Sequence, residues 1–424
     1  MAVIELVERI LKEERPADAI LVHYFRHNRY MGSKDRAAVK ERFYRILRRF
    51  LKLTWAIEQQ NYSPSARHYV ILDSMFCGEH TPETLAKHVF TGEQYAPKPL
   101  TSAERTLAEA YVGQSLEALE GVPDRIRLEC PEWAWKPLSD TFGARVADLL
   151  QAMQVKNDIH LRVNRLKAVP EDIFQALKGE GLDCAKGQLS PDCVRVKSAV
   201  SLTQHDLYKT GKIEIQNEGS QLIALACDVK PGMRVVDFCA GAGGKTLALA
   251  AFMKNKGRIT ACDVLEGRLQ RAKKRFRRAD VHNIETRPLS SERDPWVKRH
   301  KNSCDVVLVD APCSGVGTWR GDPDKRIRQL GPGLSQLVPL QKEILDSAAR
   351  LVKPGGRLVY ATCSLLPIEN EDQIQGFLDA HPEFELIPLP DQIPGHVVSD
   401  RYMKANPLDH DCDGFFAAVL QKKS

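Results

Sequence analysis

No two cysteines are spaced as Cys-x-x-Cys, although the chain holds 11 of them in 424 residues. An odd count without paired spacing argues against the disulfide framework of a secreted domain and for a reducing compartment. No apolar run approaches the roughly 20 residues that a membrane-spanning helix requires. A secretory leader is missing as well: MAVIELVERILKEERPADAILVHYF carries acids where a leader would be basic and then apolar. A cytoplasmic protein is therefore expected, with no membrane, no metal and no obligate protein partner called for. Internal repeats and low-complexity tracts are absent. Nor does one sign of charge dominate: 61 basic against 55 acidic side chains leave +6, with a pI near 8.7. Such a balance permits a polyanionic partner without demanding one.

What is present suffices for more than one core. The length exceeds one ordinary domain, so two or three are expected, and the 43% hydrophobic content is ordinary for globular protein. Residues 1–125 read as helical, because AVIELVERILKEE and RAAVKERFYRILRRFLKLTWAIEQ place apolar residues three and four apart. There Arg26, Arg29, Lys34, Arg36, Lys40, Arg42, Arg45, Arg48, Arg49 and Lys52 are balanced only by Asp35 and Glu41. That run is either a solvated helix face or a face that tracks phosphates. Residues 126–215 change character: IHLRVNRLKAV and CVRVKSAV alternate like strands, and PEDIFQALKGEGL is a helix closed by glycine. A small α+β module follows from this. From 216 to 424 strand and helix alternate, with MRVVDFCA, RITACDV, CDVVLVDAP and GRLVYATCS as short apolar strands. This order predicts a mostly parallel sheet with helices on both faces. DGFFAAVLQKK is expected to add a final edge strand.

The stretch CAGAGGKT, from Cys239 to Thr246, is close to a phosphate-binding P-loop but has Cys239 where that pattern needs its first glycine. It stands between a strand and a helix start, where an open α/β sheet binds its ligand. Asp310 could imitate the acidic magnesium ligand of a nucleotide triphosphatase. Asp263, ending the next strand about 20 residues on, instead suits the ribose hydroxyls of an adenosine-containing ligand. Two further strand ends carry thiols. VDAPCSGVGTW brings Asp310 and Cys313, and YATCSLLPIENE brings Cys363, to the same edge of the sheet. Cys227, Cys262 and Cys304 lie elsewhere along the strands and helices and read as small buried hydrophobes.

Together IQNEGSQLIALA, DFCAGAGGKT, ACDVLEGRLQRA, DAPCSGVGT and YATCSLLPIENE make residues from about 130 to 424 resemble the RNA 5-methylcytosine methyltransferases of the Sun and Nop2 type. The helical first third is similar to the NusB-like domain of bacterial ribosomal RNA members. The resemblance implies three domains: an all-α NusB-like RNA-binding domain over 1–125, an α+β domain over 126–215, and a Rossmann-like class I methyltransferase domain over 216–424. It implies S-adenosylmethionine as cofactor and RNA, foremost ribosomal RNA, as partner. The cofactor would lie on Cys239, Ala240, Gly241, Ala242, Gly243, Gly244 and Lys245, with Asp263, Arg268 and Asp310.

The resemblance also gives roles to Cys363 as nucleophile on carbon 6 of cytosine, Asp310 as the acid near ring nitrogen 3, and Cys313 as the group assisting release. Lys245 would lie near both ligand and target. Three departures stand out. Ala242 replaces a proline, Ser290 or Ser291 stands where the family has an acid, and WRGDPDKR has only Arg320 where it has an arginine pair. The competing readings are a nucleotide triphosphatase, a non-catalytic RNA-binding assembly factor, an enzyme with Cys313 as nucleophile in the manner of DNA methyltransferases, and one acting on transfer RNA.

Overall fold

The computed structural model describes residues 1–197 and 202–424; the end of the CVRVKSAV stretch, from residue 198, lies outside them. The chain divides into two compact units, residues 1–154 with 322–331, and residues 155–321 with 332–424.

The described elements of the first unit are all helices. In Ala2–Lys12, Val3, Ile4, Leu6, Val7 and Ile10 recur at helical spacing and are buried. They join Ile20, Phe43, Ile46, Leu53 and Leu72 in one core. The basic run does not form a single face. It breaks at Arg49 into the helices Ser33–Arg48 and Phe50–Gln59. Asp73 is fully buried and draws in Arg42 at 3.3 Å and Arg45 at 2.7 Å, since a buried carboxylate must be paired. Lys52 is buried and pairs with Glu117 at 2.6 Å. Of the ten cations only Arg26, Arg29, Lys34 and Lys40 are exposed.

Residues 322–331 belong to this helical unit although they follow Arg320 in sequence. Asp324 accepts a 2.8 Å hydrogen bond from the Ala17 amide at the start of the helix Ala17–His27. Arg328 donates to the carbonyls of Ile10 at 3.1 Å and Glu13 at 2.5 Å, and Arg326 donates to that of Met153 at 3.0 Å. These are orphan groups of helix ends and turns, which must find partners when buried.

The second unit holds two sheets. The smaller is β1 (Ile159–Val163), β2 (Cys184–Lys186), β3 (Cys193–Val196) and β4 (Ile213–Ile215), antiparallel in the order β2-β3-β1-β4. Ile173 and Leu177 of the helix Pro170–Gly179 pack on Leu161, Val163, Val194 and Ile213. The larger sheet begins with β5 (Arg234–Asp237), β6 (Arg258–Asp263), β7 (Ile284–Pro288), β8 (Cys304–Asp310) and β9 (Val352–Thr362). These five are parallel in the order β7-β6-β5-β8-β9. β10 (Phe384–Leu386), β11 (Val398–Ser399), β12 (Tyr402–Ala405) and β13 (Phe415–Lys422) extend it antiparallel.

The fold is thus the expected Rossmann-like, mostly parallel sheet, with one correction. β13 is not an edge: it pairs with β9 on one side and with both β12 and β10 on the other. Its unbroken apolar run, Phe415 to Leu420, is buried on both faces. Such a run marks an interior strand rather than an edge.

A seam joins the two sheets of this unit. Glu214 on β4 is 1% exposed and takes the guanidinium groups of Arg275, at 3.0 Å, and Arg278. Arg278 also lies 3.7 Å from the ring centre of Tyr208. Gly211 sits at φ 73°, and a Cβ there would fall 2.0 Å from the Arg278 carbonyl oxygen. Gly211→Ala should therefore cost about 2 kcal/mol or more. Urea unfolding followed by circular dichroism would read this as a lower midpoint, and an unchanged midpoint would show that the seam yields freely.

Candidate active site

The chain runs outward from β5 to β6 and β7, then returns to the other side of β5 for β8 and β9. That reversal leaves a crevice at the carboxyl ends of β5 and β8, the usual ligand position of an open α/β sheet.

The β5 end carries the glycine turn. Gly241 and Gly243 both take left-handed φ, 56° and 78°. A Cβ on Gly243 would strike Phe276 at 2.5 Å, so only glycine fits there. A Cβ on Gly241 would meet nothing within 4 Å, which leaves the outer side of the turn open. Cys239 packs partly buried against the layer formed with β8 and β9, and burial pushes its thiol pKa up. The Ala240 amide donates to the Cys262 carbonyl at 2.8 Å, tying the turn to β6. Ala242 is exposed, and its carbonyl accepts from Arg275 at 2.8 Å.

Gly244 opens the helix Gly244–Phe252, with Lys245 and Thr246 in its first turn. The Thr246 hydroxyl donates to Asp237 at 2.6 Å. Asp237 is fully buried, and burial pushes its carboxyl pKa up to about 7. Its second oxygen, Oδ1, has no partner among the described residues.

Asp263 ends β6 and is 6% exposed. One oxygen accepts from the Gly241 amide at 2.8 Å, the other from the Leu265 amide at 2.7 Å. The carboxylate is thus fixed against the glycine turn. Val264 and Leu265, both more than half exposed, continue from it as a short apolar ledge. Arg268 is exposed and makes no side-chain hydrogen bond or ion pair among the described residues, so it is not drawn to the turn. Beyond β7, Ser290 donates through its amide, at 2.8 Å, and its hydroxyl, at 2.9 Å, to Asp294. Asp294 caps the helix Pro295–Arg299, and those backbone donors hold its pKa below the usual carboxylate range.

Asp310 ends β8 and pairs with Lys245 at 2.7 Å, the two side chains being 32% and 10% exposed. Burial pulls the Lys245 pKa down, but the Asp310 charge and hydrogen bond outweigh it, so the ammonium titrates above its ordinary value. Cys313 follows Asp310 by three residues, and Cys363 follows the end of β9. Their sulfurs lie 3.3 Å apart, and the Cys363 amide donates to the Cys313 sulfur at 3.3 Å. The hydrogen bond with Cys363, then burial, pushes the Cys313 thiol pKa well up.

Glu369 is the residue whose role the sequence reading missed, although it lies inside YATCSLLPIENE. It is fully buried. One oxygen accepts from the Ser314 amide at 2.8 Å and from Gln341 at 2.9 Å, the other from the Ser314 hydroxyl at 2.5 Å. Asn370 joins Thr362, at 2.5 Å, to the Ser364 carbonyl, at 3.0 Å, on either side of Cys363. An acid two residues after Leu366-Pro367, with no basic residue near it in sequence, is the available signal.

A parallel sheet with a glycine turn, an acid at the next strand end and polar groups meeting in the crevice defines a Rossmann-like methyltransferase domain. The family model for 16S rRNA methyltransferase RsmB/F matches residues 224–421, and the RsmF/B-like ferredoxin-like domain model matches 130–203. The "Probable ribosomal RNA small subunit methyltransferase B" of Bacillus subtilis is 33% identical over 73% of this chain and 70% of its own length. The ribosomal RNA small subunit methyltransferase B of Pectobacterium atrosepticum is 28% identical over 99% of this chain and 97% of its own. The crystal structure of PH0851 superposes with a TM-score of 0.83 at 28% identity, covering 99% of this chain and 98% of that one. The chain belongs to the RsmB/F family of 16S rRNA methyltransferases. Its cofactor is S-adenosylmethionine. The crevice fits that group: the glycine turn has an open side, and Asp237 leaves one buried oxygen unpartnered at the β5 end. No helix of the described residues is long and apolar enough to cross a membrane.

The Asp237 carboxyl titrates near 7 when folded but near 4 when unfolded. Unfolding therefore releases a proton between those values, and stability falls as pH rises through that window. Asp237→Asn removes the titrating group and keeps an acceptor for Thr246. Melted without cofactor, the variant should gain on the wild type in Tm between about pH 5 and about pH 8; a constant gap would refute the assignment.

Proposed function

We propose that this chain methylates carbon 5 of a cytosine in ribosomal RNA through a covalent bond between Cys363 and carbon 6 of the base. The observation that supports this is the thiol pair, Cys313 and Cys363, 3.3 Å apart at the ends of two neighbouring parallel strands. Carbon 5 of cytosine is a poor nucleophile, and thiolate attack at carbon 6 makes it enamine-like and reactive. Lys245 stays protonated and attracts the negative charge of a Cys363 thiolate, which favours the attacking form. Asp310, held by Lys245, takes the place near ring nitrogen 3, where electron density gathers on attack. Bound S-adenosylmethionine supplies the methyl group. Cys313 then assists removal of the carbon 5 proton and expulsion of the Cys363 thiol. Its raised pKa keeps it a neutral thiol, so it is not the attacking thiolate; it can hand its proton to the departing Cys363 sulfur and, once deprotonated, take the proton from carbon 5.

The turn from Cys239 to Gly244, with Lys245 and Asp310, would hold the cofactor, and Asp263 would bind its ribose. Arg268 would serve only by swinging in from solvent. The target base must leave its stack to reach both thiol and methyl donor, which is cheapest in single-stranded or loop RNA. The relatives' names favour small-subunit ribosomal RNA over transfer RNA. The functional division proposed is a NusB-like RNA-binding domain over 1–125, the α+β module over 126–215 and the methyltransferase domain over 216–424.

The two thiols act at different times, so their variants should differ. Cys363→Ala should abolish methyl transfer and form no covalent RNA complex. Cys313→Ala should still attack, and should accumulate as an RNA adduct that survives denaturing electrophoresis and disappears on nuclease treatment. An adduct on Cys363→Ala but not on Cys313→Ala would reverse the roles. Full activity in both variants would end the proposal.

A further inference from the structure

One helix of the second unit is strongly basic. Glu266–Ala279, EGRLQRAKKRFRRA, holds seven of the 61 cations and one of the 55 acids, so the other residues carry 54 of each. Its net +6 equals that of the whole protein.

Two of the seven cations are committed inside the fold. Arg275 and Arg278 grip the buried Glu214. The apolar side, with Leu269, Ala272, Phe276 and Ala279, is buried. The other five are exposed: Arg268 in the first turn, and Arg271, Lys273, Lys274 and Arg277 grouped along the rest of the helix, with Arg271–Lys274, Lys273–Arg277 and Lys274–Arg277 three or four residues apart. None of the last four makes an ion pair among the described residues. In the basic run near the amino terminus Asp73 and Glu117 take up Arg42, Arg45 and Lys52, while Arg26, Arg29, Lys34 and Lys40 stay exposed. At the carboxyl end of the helix, Gly211 packs on the Arg278 carbonyl, and the exposed Lys209 and Lys212 flank it, so the positive surface continues onto the smaller sheet's module.

Four adjacent cations without counter-charges repel one another, and nothing within the fold compensates them. Their complement is a closely spaced run of negative charge, and a phosphodiester backbone supplies one. A lipid surface fits less well, because an interfacial helix must present an apolar face, and this one has buried its own. We infer that the outer face of Glu266–Ala279 is a phosphate-tracking surface that holds the RNA substrate outside the crevice. This rests on the reading that the substrate is RNA.

The test uses the full chain and a 16S rRNA transcript. A variant with Arg271→Gln, Lys273→Gln, Lys274→Gln and Arg277→Gln should bind S-adenosylmethionine as the wild type does. Its plot of log Kd for RNA against log salt should be shallower by about 3. KM for RNA should rise about tenfold with kcat little changed. The charge-keeping variant, Arg271→Lys, Lys273→Arg, Lys274→Arg and Arg277→Lys, should restore the slope. In wild-type protein, bound RNA should protect Lys273 and Lys274 from acetylation, a readout that needs no variant. An unchanged slope, or lysines acetylated equally with and without RNA, would overturn the inference and leave the face to an acidic protein or to solvent. Should the wild type fail to methylate RNA, it is the substrate reading that falls.

Discussion

A carboxylate with no access to water ties the site together. Glu369 emerges just after β9, yet it spends both oxygens on the turn that follows β8. Parallel neighbours in a sheet are connected far away in sequence, so nothing in the backbone ladder fixes the loops beyond their ends. Here that task falls to side chains. Ser314 and Gln341 bound to Glu369, and the Gly317 amide donating to the Cys363 carbonyl at 3.0 Å, tie together two loops about 50 residues apart. The thiol separation follows from this, because each sulfur inherits its position from a loop that is not free to drift. Such buried networks are costly when half satisfied; here each Glu369 oxygen has its donors, while Gln341 Oε1 has no partner among the described residues.

Much of this was legible from sequence, for reasons that differ by element. The strands of the parallel sheet announced themselves as short apolar runs ending in Asp237, Asp263, Asp310 and Thr362, because strands buried on both faces have no polar alternation to hide them. The glycine turn was legible because left-handed backbone admits few residues. β7 was less so: as the exposed end of the parallel order, its Ile284–Pro288 run is half polar and carries little hydrophobic signal. The interior position of β13 was misjudged because β10 and β12, three and four residues long, lie in a proline-rich stretch that reads as loop.

Charge was the least legible quantity. Ten cations in 27 residues, from Arg26 to Lys52, read as a surface, but a single buried carboxylate, Asp73, turned two of them inward. The sequence separation between Asp73 and Arg45 gives no hint of it. On Glu266–Ala279 Glu214 likewise takes two cations, and Arg268, Arg271, Lys273, Lys274 and Arg277 stay exposed. Whether a basic helix is a face or a set of internal ties is decided by acids elsewhere in the chain.

The segment 322–331 makes the helical unit discontinuous. The polypeptide enters it, leaves, comes back for ten residues between β8 and β9, and leaves again. Gene fusion and truncation treat domains as beads on a string, and this bead is threaded twice. Removing the first 154 residues would strand Asp324, Arg326 and Arg328, whose partners are Ala17, Ile10, Glu13 and Met153. The loss would be felt in the very loop that leads on from Cys313.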